Sequence, residues 1–205
     1  MTDLRAADQH PERAGNLYYD GHFKRSAVKL LPGEYYATRD NRLLCTVLGS
    51  CVAACLRDRQ AKIAGMNHFL LASTADTEAS ARYGIHAMEL LINQMLKLGA
   101  SRQRLEAKLF GGANMMHSQS RNNIGAQNAR FAQKFMSDEG IPVVSHDLFG
   151  DYARKIWFLP DTGKVMMRRL TKTRNDTVLR REVDLGRKLS AESPQAGDVE
   201  LFEQD

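Results

Sequence analysis

The chain has 205 residues, 43% of them hydrophobic, so it can bury a substantial core and is not globally disordered. It carries 29 Lys and Arg against 24 Asp and Glu, and the resulting net charge of +5 gives no argument for nucleic-acid binding. There is no membrane-spanning apolar run, no apolar region of a secretory signal and, with three cysteines, no disulfide framework. We therefore expect a cytoplasmic protein with reduced thiols and no membrane insertion.

Three regions follow one another along the chain. Residues 1–27 are polar and predict an N-terminal extension, with the alternative that Leu17, Tyr18 and Tyr19 dock onto the body. Apolar density rises at Val28, and 28–170 is predicted to form one folded domain. The remaining residues, 171–205, form a tail that is first basic and then acidic.

Within the domain, short apolar runs predict strands, and apolar residues at helical spacing predict two helices. The helices end at Gly99 and Gly140, and the second spans about 124–139. Segment 51–56 fits a strand or a short helix. The predicted strands are 28–31, 35–36, 43–48, 63–71, 105–110 and 141–144, with a hairpin of 155–159 and 164–169. This order predicts a single α+β domain.

Cys51 stands out because it follows directly on a predicted strand that ends in Gly49-Ser50. That position exposes a side chain at the edge of a rigid sheet and leaves room for backbone N–H groups to face an oxyanion. A thiol nucleophile also needs a base, and His68 lies on the next predicted strand. A Cys–His pair predicts acyl-transfer chemistry through a thioester.

Two other interpretations of these residues stay open. Cys51 and His68 are also compatible with an inert buried cysteine and a hydrogen-bonded core histidine. A zinc site from Cys45, Cys51, Cys55 and His68 is possible in principle, but the spacing lacks a C-x-x-C pair. The pattern itself implies no cofactor.

Two further features favour structural roles. Gly111-Gly112 lacks the Lys-Ser/Thr of a phosphate-binding loop, so a tight strand-to-loop turn is the simpler interpretation. The basic run 168–188 has no interleaved aromatic residues. It therefore favours a solvated face or an anionic partner over nucleic acid.

Several motifs together resemble the CheD family of chemoreceptor glutamine deamidases. The two strongest are TVLGSCVAACL (46–56) and GMNHFLL (65–71). Others follow in family order, so that the resemblance covers about 32–170: Tyr83-Gly84, AMELLI (87–92), KLFGGA (108–113), Ile124-Gly125 with Asn128, GIPVV (140–144) and DTGKV (161–165).

The resemblance implies a fold in which helices pack around a β-sandwich, similar to a bacterial toxin deamidase. It implies that Cys51 is the nucleophile and His68 the general base and acid. A Thr or Ser usually stands six positions before the nucleophile, where this chain has Cys45, with Thr46 next to it. Because adjacent strand residues face opposite sides, Thr46 would need a bulge to replace it. Cys45, Thr46 or a backbone carbonyl could therefore orient His68.

The resemblance also implies partners and a reaction. The substrate would be the cytoplasmic helices of chemoreceptors, whose glutamines are deamidated to glutamate in chemotaxis adaptation. A CheC-type phosphatase binds and regulates some family members. Two alternatives remain: a chemotaxis adaptor that binds receptors or a phosphatase with weak or no catalysis, and a thiol hydrolase acting on another amide.

Overall fold

The computed structural model describes residues 13–71, 77–115 and 123–170, together with Asp184. The helices among these residues are α1 (Thr77–Lys97) and α2 (Ile124–Asp138). The strands are β1 (Asn16–Asp20), β2 (Arg25–Lys29), β3 (Tyr35–Thr38), β4 (Leu43–Leu48), β5 (Val52–Asp58), β6 (Ile63–Asn67), β7 (Leu105–Gly111), β8 (Val143–Leu148), β9 (Arg154–Leu159) and β10 (Lys164–Arg169).

The strands form two five-stranded sheets, each of which mixes parallel and antiparallel pairs. The outer sheet has the order β1-β2-β4-β9-β10, and the middle sheet has the order β3-β6-β5-β7-β8. The parallel pairs are β2 with β4 and β7 with β8. Strands β4 and β5 belong to different sheets, so the three residues between them cross from one sheet to the other.

Two apolar clusters hold three layers together. The first lies between the sheets and joins Leu44 and Phe158 of the outer sheet to Ala53 and Met66 of the middle sheet. The second lies on the other face of the middle sheet and contains residues of both helices. Alternation along β5 divides its side chains between the two clusters, as expected for a strand buried on both faces.

The structure confirms the predicted α+β class, but the helices are placed differently from the prediction. Both α1 and α2 pack on the middle sheet, so the two helices in the described part of the chain cover one face of the sheet pair. The limits of α2 and the end of α1 agree with the prediction, whereas α1 begins at Thr77, well before the first apolar residue of its helical pattern, Ile85. Gly99, with φ of 99°, follows the end of α1 in a backbone conformation that favours glycine.

Some strands differ from the sequence-based expectations. The ambiguous segment 51–56 is a strand, β5, and the predicted strand 63–71 ends as a regular strand at Asn67. Strand β8 begins two residues later than predicted and extends to Leu148. Strand β1 lies within the predicted N-terminal extension and pairs with β2, so Leu17 to Tyr19 adopt the docked alternative.

Two predicted segments fall largely outside the described residues. The small and polar sequence of 73–77 predicts a flexible loop, and the structure describes only Thr77 of it, where α1 begins. The tail predicted at 171–205 is described only at Asp184, so the division of the chain at residue 170 stays a prediction.

Candidate active site

Cys51 is the last residue of the Gly49–Ser50–Cys51 crossover between the sheets. Its side chain lies in the apolar cluster between the sheets and is 0% exposed. The crossover is fixed by backbone hydrogen bonds to the turn after β7: the Gly112 N–H donates to the Cys51 carbonyl (2.8 Å), and the Ala113 N–H donates to the Gly49 carbonyl (2.8 Å). The structure thus places Cys51 on a short, anchored link between the central strands of the two sheets.

Gly111 and Gly112 form this turn and explain why the sequence has two glycines there. Both residues have positive φ, 118° and 68°. A Cβ atom on Gly111 would lie 2.1 Å from the Cys51 carbonyl oxygen, so the two backbones approach as closely as glycine permits. The pair is the tight turn predicted from the sequence, and it supports the Cys51 backbone.

His68 follows β6 and lies on the same face of the middle sheet as Cys51. Val52 and Phe69 form an antiparallel bridge with N–H···O bonds in both directions, of 3.0 and 2.9 Å. In this register Cys51 lies opposite Leu70, and His68 is the diagonal neighbour of Cys51. Both Cys51 and His68 are then on the face of the middle sheet that meets the outer sheet. Diagonal neighbours have Cα atoms about 7–8 Å apart, within reach of a histidine and a cysteine side chain.

Thr46 of the outer sheet contacts His68 across the space between the sheets. Its Oγ1 lies 2.7 Å from His68 Nδ1 and donates a hydrogen bond of 2.8 Å to the Leu30 carbonyl. The hydroxyl has a single proton, which is used on Leu30. Thr46 therefore accepts from Nδ1–H, so that in the neutral ring Nε2 is the atom that carries the free lone pair.

The expectation that Thr46 would need a bulge was wrong. Thr46 alternates in β4 with Leu44 and Leu48, which both lie in the cluster between the sheets, so an unbulged strand directs its side chain to the same face. Cys45 therefore faces the opposite side, where its Sγ lies 3.0 Å from the Tyr18 hydroxyl. Of the three candidates for orienting His68, Thr46 makes the side-chain contact.

Burial controls the charge state of His68. The side chain is 1% exposed, and desolvation lowers its pKa from 6.5 to about 4, against a smaller raising effect of the Leu30 backbone. Its Nε2 is buried and has no hydrogen-bond partner among the described residues. At neutral pH the imidazole is therefore uncharged, and Nε2 can accept a proton.

The remaining sequence-based candidates have simple outcomes. Cys55 is buried, and desolvation raises the pKa of its thiol, as expected for an unreactive core cysteine. Within the described residues no group of three or more His, Cys, Asp and Glu side chains is arranged so that it could hold a metal ion. The Val52 N–H is bonded to Phe69, so an oxyanion donor at that position would have to break this bond.

Two buried asparagines were not recognised as site residues from the sequence. Asn67 precedes His68 and accepts from the Ala54 N–H, and Asn128 of α2 donates to the Ser50 carbonyl next to Cys51. The only signal in the sequence was their presence within the family-like motifs, which does not show what they bind.

The structure thus places a buried thiol on the same face of the middle sheet as an imidazole that contacts a hydroxyl, and these are groups that cysteine-dependent acyl transfer uses. Comparison with known proteins shows the family to which the chain belongs. A family model described as "CheD chemotactic sensory transduction" matches residues 70–169. The chain belongs to the CheD family, since relatives about half identical to it match over nearly its whole length.

Three relatives illustrate this similarity. A Shewanella oneidensis protein named "Probable chemoreceptor glutamine deamidase CheD 1" is 52% identical over 91% of this chain and 93% of its own length. A Dechloromonas aromatica protein of the same name is 49% identical, over 96% and 98%. A third, named "Probable chemoreceptor glutamine deamidase CheD", comes from Methylobacillus flagellatus and is 48% identical, over 92% and 96%.

Two further comparisons concern the fold and the membrane. A Bacillus licheniformis hypothetical protein, YfiH, is similar over 55% of this chain and 49% of its own at 12% identity. Its TM-score of 0.38 is too low to support an argument. Neither helix of the described residues combines the length and the apolar character needed to cross a membrane.

Proposed function

We propose that the protein hydrolyses the side-chain amide of specific chemoreceptor glutamines, giving glutamate and ammonia, with Cys51 as nucleophile and His68 as general base and acid. The observation that carries the proposal is the position of the His68 ring. Its Nδ1 lies 2.7 Å from Thr46 Oγ1, and the ring is on the same face of the middle sheet as Cys51. The names of the relatives supply the substrate class.

In the proposed first half-reaction, His68 Nε2 takes the proton of the Cys51 thiol as sulfur attacks the carboxamide carbon. A tetrahedral intermediate forms and is stabilised by backbone N–H groups near the crossover, where one donor contributes about 3–4 kcal/mol in other enzymes. His68 then returns its proton to the departing nitrogen. The carbon–nitrogen bond breaks, ammonia leaves, and a thioester remains on Cys51.

Water completes the second half-reaction. His68 removes a proton from the attacking water, the carbon–sulfur bond breaks, and the thiol of Cys51 is restored as the product ionises to a glutamate carboxylate. A glutamate methyl ester would pass through the same thioester with methanol as leaving group. Methylesterase activity would therefore need no additional catalytic group.

The reaction would change the charge of its substrate. A neutral glutamine becomes a carboxylate, and added like charges on packed receptor helices shift their signalling equilibrium. The new glutamate is also a group that can be methylated. We also propose that the protein is cytoplasmic and that a CheC-type phosphatase regulates it. The proposed catalytic domain spans 28–170, with a fold similar to that of a toxin deamidase.

To test this proposal, the protein is incubated with the cytoplasmic part of a cognate chemoreceptor. Conversion of glutamine to glutamate is then measured by peptide mass spectrometry. We expect conversion by the wild type and none by Cys51→Ala, whereas Cys55→Ala serves as the matched buried-cysteine control and should remain active. Equal conversion by Cys51→Ala would refute the proposed nucleophile. Receptor binding without conversion would support the adaptor alternative, and conversion only of unrelated peptides would support another amide substrate.

A further inference from the structure

Strand β5, which Cys51 precedes, and strand β6, which His68 follows, are paired by an interrupted hydrogen-bond ladder. β5 and β6 pair regularly from Cys55↔Met66 to Asp58↔Ile63. The isolated Val52↔Phe69 bridge lies three residues further on and keeps the same register. In an unbroken antiparallel ladder, the residue pairs two positions on either side of this bridge would also exchange backbone hydrogen bonds.

Those two pairs are Ala54 with Asn67 and Ser50 with Leu71, and in both a side-chain amide replaces a backbone group. The Ala54 N–H donates to Asn67 Oδ1 (3.0 Å). The Leu71 N–H donates to Asn128 Oδ1 (2.8 Å), and Asn128 Nδ2 donates to the Ser50 carbonyl (2.9 Å). Two successive hydrogen bonds therefore link the Leu71 N–H to the Ser50 carbonyl, two groups that a regular sheet would bond directly.

Both amides are buried and fully engaged. Asn67 is 2% exposed, and its Nδ2 donates to the Ala87 carbonyl of α1 (3.1 Å). Asn128 is 0% exposed and comes from α2. Each helix thus fixes one of the two amides, and the spacing of the two strands depends on how the helices sit on the middle sheet.

The interruptions flank the catalytic pair. His68 directly follows Asn67, and Cys51 directly follows Ser50. We propose that Asn67 and Asn128 are positioning residues, whose inserted amides hold the two strands apart at both ends of the Val52↔Phe69 bridge and so set the separation between Cys51 Sγ and His68 Nε2. The proposal rests on the proposed function of Cys51 and His68.

Asparagine suits this position for a chemical reason. Its amide has both a donor and an acceptor, so Asn128 can satisfy an N–H of one strand and a carbonyl of the other at once. A carboxylate has only acceptors and would place an oxygen against the Ser50 carbonyl. A purely structural role would predict a loss of stability on substitution, without a specific change at Cys51.

The test therefore combines turnover, stability and thiol chemistry. Asn128→Asp keeps the size of the side chain and loses the donor to Ser50, and Asn128→Ser, which is smaller and uncharged, decides the outcome if the first variant does not fold. Asn67→Ser tests the other amide. Asn123→Ala is the matched control, because it removes the N-cap of the same helix, where Asn123 Oδ1 accepts from the Ala126 N–H (3.1 Å).

For each protein, kcat and KM are measured on the receptor fragment, and the pH midpoint of Cys51 alkylation by iodoacetamide is read by peptide mass spectrometry. We expect the Asn128 and Asn67 variants to lower kcat about a hundredfold with KM within about twofold, the size of effect that a misplacement near 1 Å produces. We also expect the alkylation midpoint to shift. Asn123→Ala should lower Tm and leave kcat and the midpoint unchanged.

Two results would overturn the proposal: a folded Asn128 variant with wild-type kcat and midpoint, or the same changes in Asn123→Ala. The alkylation measurement needs no receptor. If the wild type converted no glutamine, the proposed function would fail, and the alkylation midpoints would still decide whether the asparagines position Cys51 and His68.

Discussion

Replacing Thr46 by valine tests the contact between the two sheets on which the orientation of His68 depends. Valine has nearly the same shape and lacks the hydroxyl, so the variant loses the bonds to His68 Nδ1 (2.7 Å) and to the Leu30 carbonyl (2.8 Å) while the packing is kept. Thr46 is 1% exposed, so water cannot easily replace the lost partner.

The expected magnitudes follow from these two bonds. Each buried group left without a partner costs about 1–3 kcal/mol, so the free energy of unfolding should fall by at least about 1 kcal/mol. Without the acceptor at Nδ1, the proton is no longer fixed there, and Nε2 is not held as the base. General base catalysis contributes about 10²–10⁴ in rate, and we expect kcat to fall by about 10- to 100-fold.

The assay is glutamine conversion on a receptor fragment, with urea unfolding measured in parallel. Thr46→Ser keeps a hydroxyl and should retain most of the activity. Cys45→Val is the matched control on the neighbouring residue, which faces Tyr18, and its kcat should stay within about twofold of the wild type. Wild-type kcat in Thr46→Val, or a larger loss in Cys45→Val, would refute the assignment of Thr46 as the residue that orients His68.

Two further predictions concern stability. The pKa of His68 is about 4 in the folded protein and 6.5 when unfolded, so the unfolded state binds more protons between these two pH values. The free energy of unfolding should therefore fall by about 3 kcal/mol as the pH drops from 6.5 to 4. Urea unfolding of His68→Gln should show a smaller fall over the same pH range. Gly111→Ala should lower Tm strongly, because its Cβ would lie 2.1 Å from the Cys51 carbonyl oxygen, whereas Gly140→Ala, also at positive φ but with nothing within 4 Å, should lower it less. Equal Tm values for the two variants would contradict the close approach at Gly111.

Sequence patterns identified elements whose signals are local. Helical spacing and a following glycine marked both helices, and the hairpin of β9 and β10 has its turn between two apolar runs. Strand β1 was harder to recognise because Leu17 and Tyr19 are 59% and 68% exposed, and an exposed edge strand lacks the pattern of a buried one. Val143 and Val144 of β8 are also exposed, although their composition is that of a buried strand.

The site was predictable only in part, for a related reason. Cys51 and His68 lie next to recognisable strand ends, so their types and places in the chain suggested the chemistry. The contact of Thr46 depends on which face of β4 meets the other sheet, and Asn128 bonds residues 57 and 78 positions away in the chain. Such contacts follow from the packing of sheets and helices, and no local pattern encodes them.

The depth of the site also determines the charge state of His68, the proposed general base. His68 is 1% exposed, and burial disfavours its charged form, so that its pKa falls to about 4. An imidazolium between the sheets would be a desolvated ion, which costs several kcal/mol. The resting enzyme should therefore hold a neutral imidazole, whose Nε2 takes up a proton as sulfur attacks. Because the acid limb of kcat/KM reports the free enzyme, it should follow His68 at a pKa of about 4, and activity should persist at pH 5. A measured acid limb near pH 6.5 would show a solvated histidine and would refute the lowered pKa of His68.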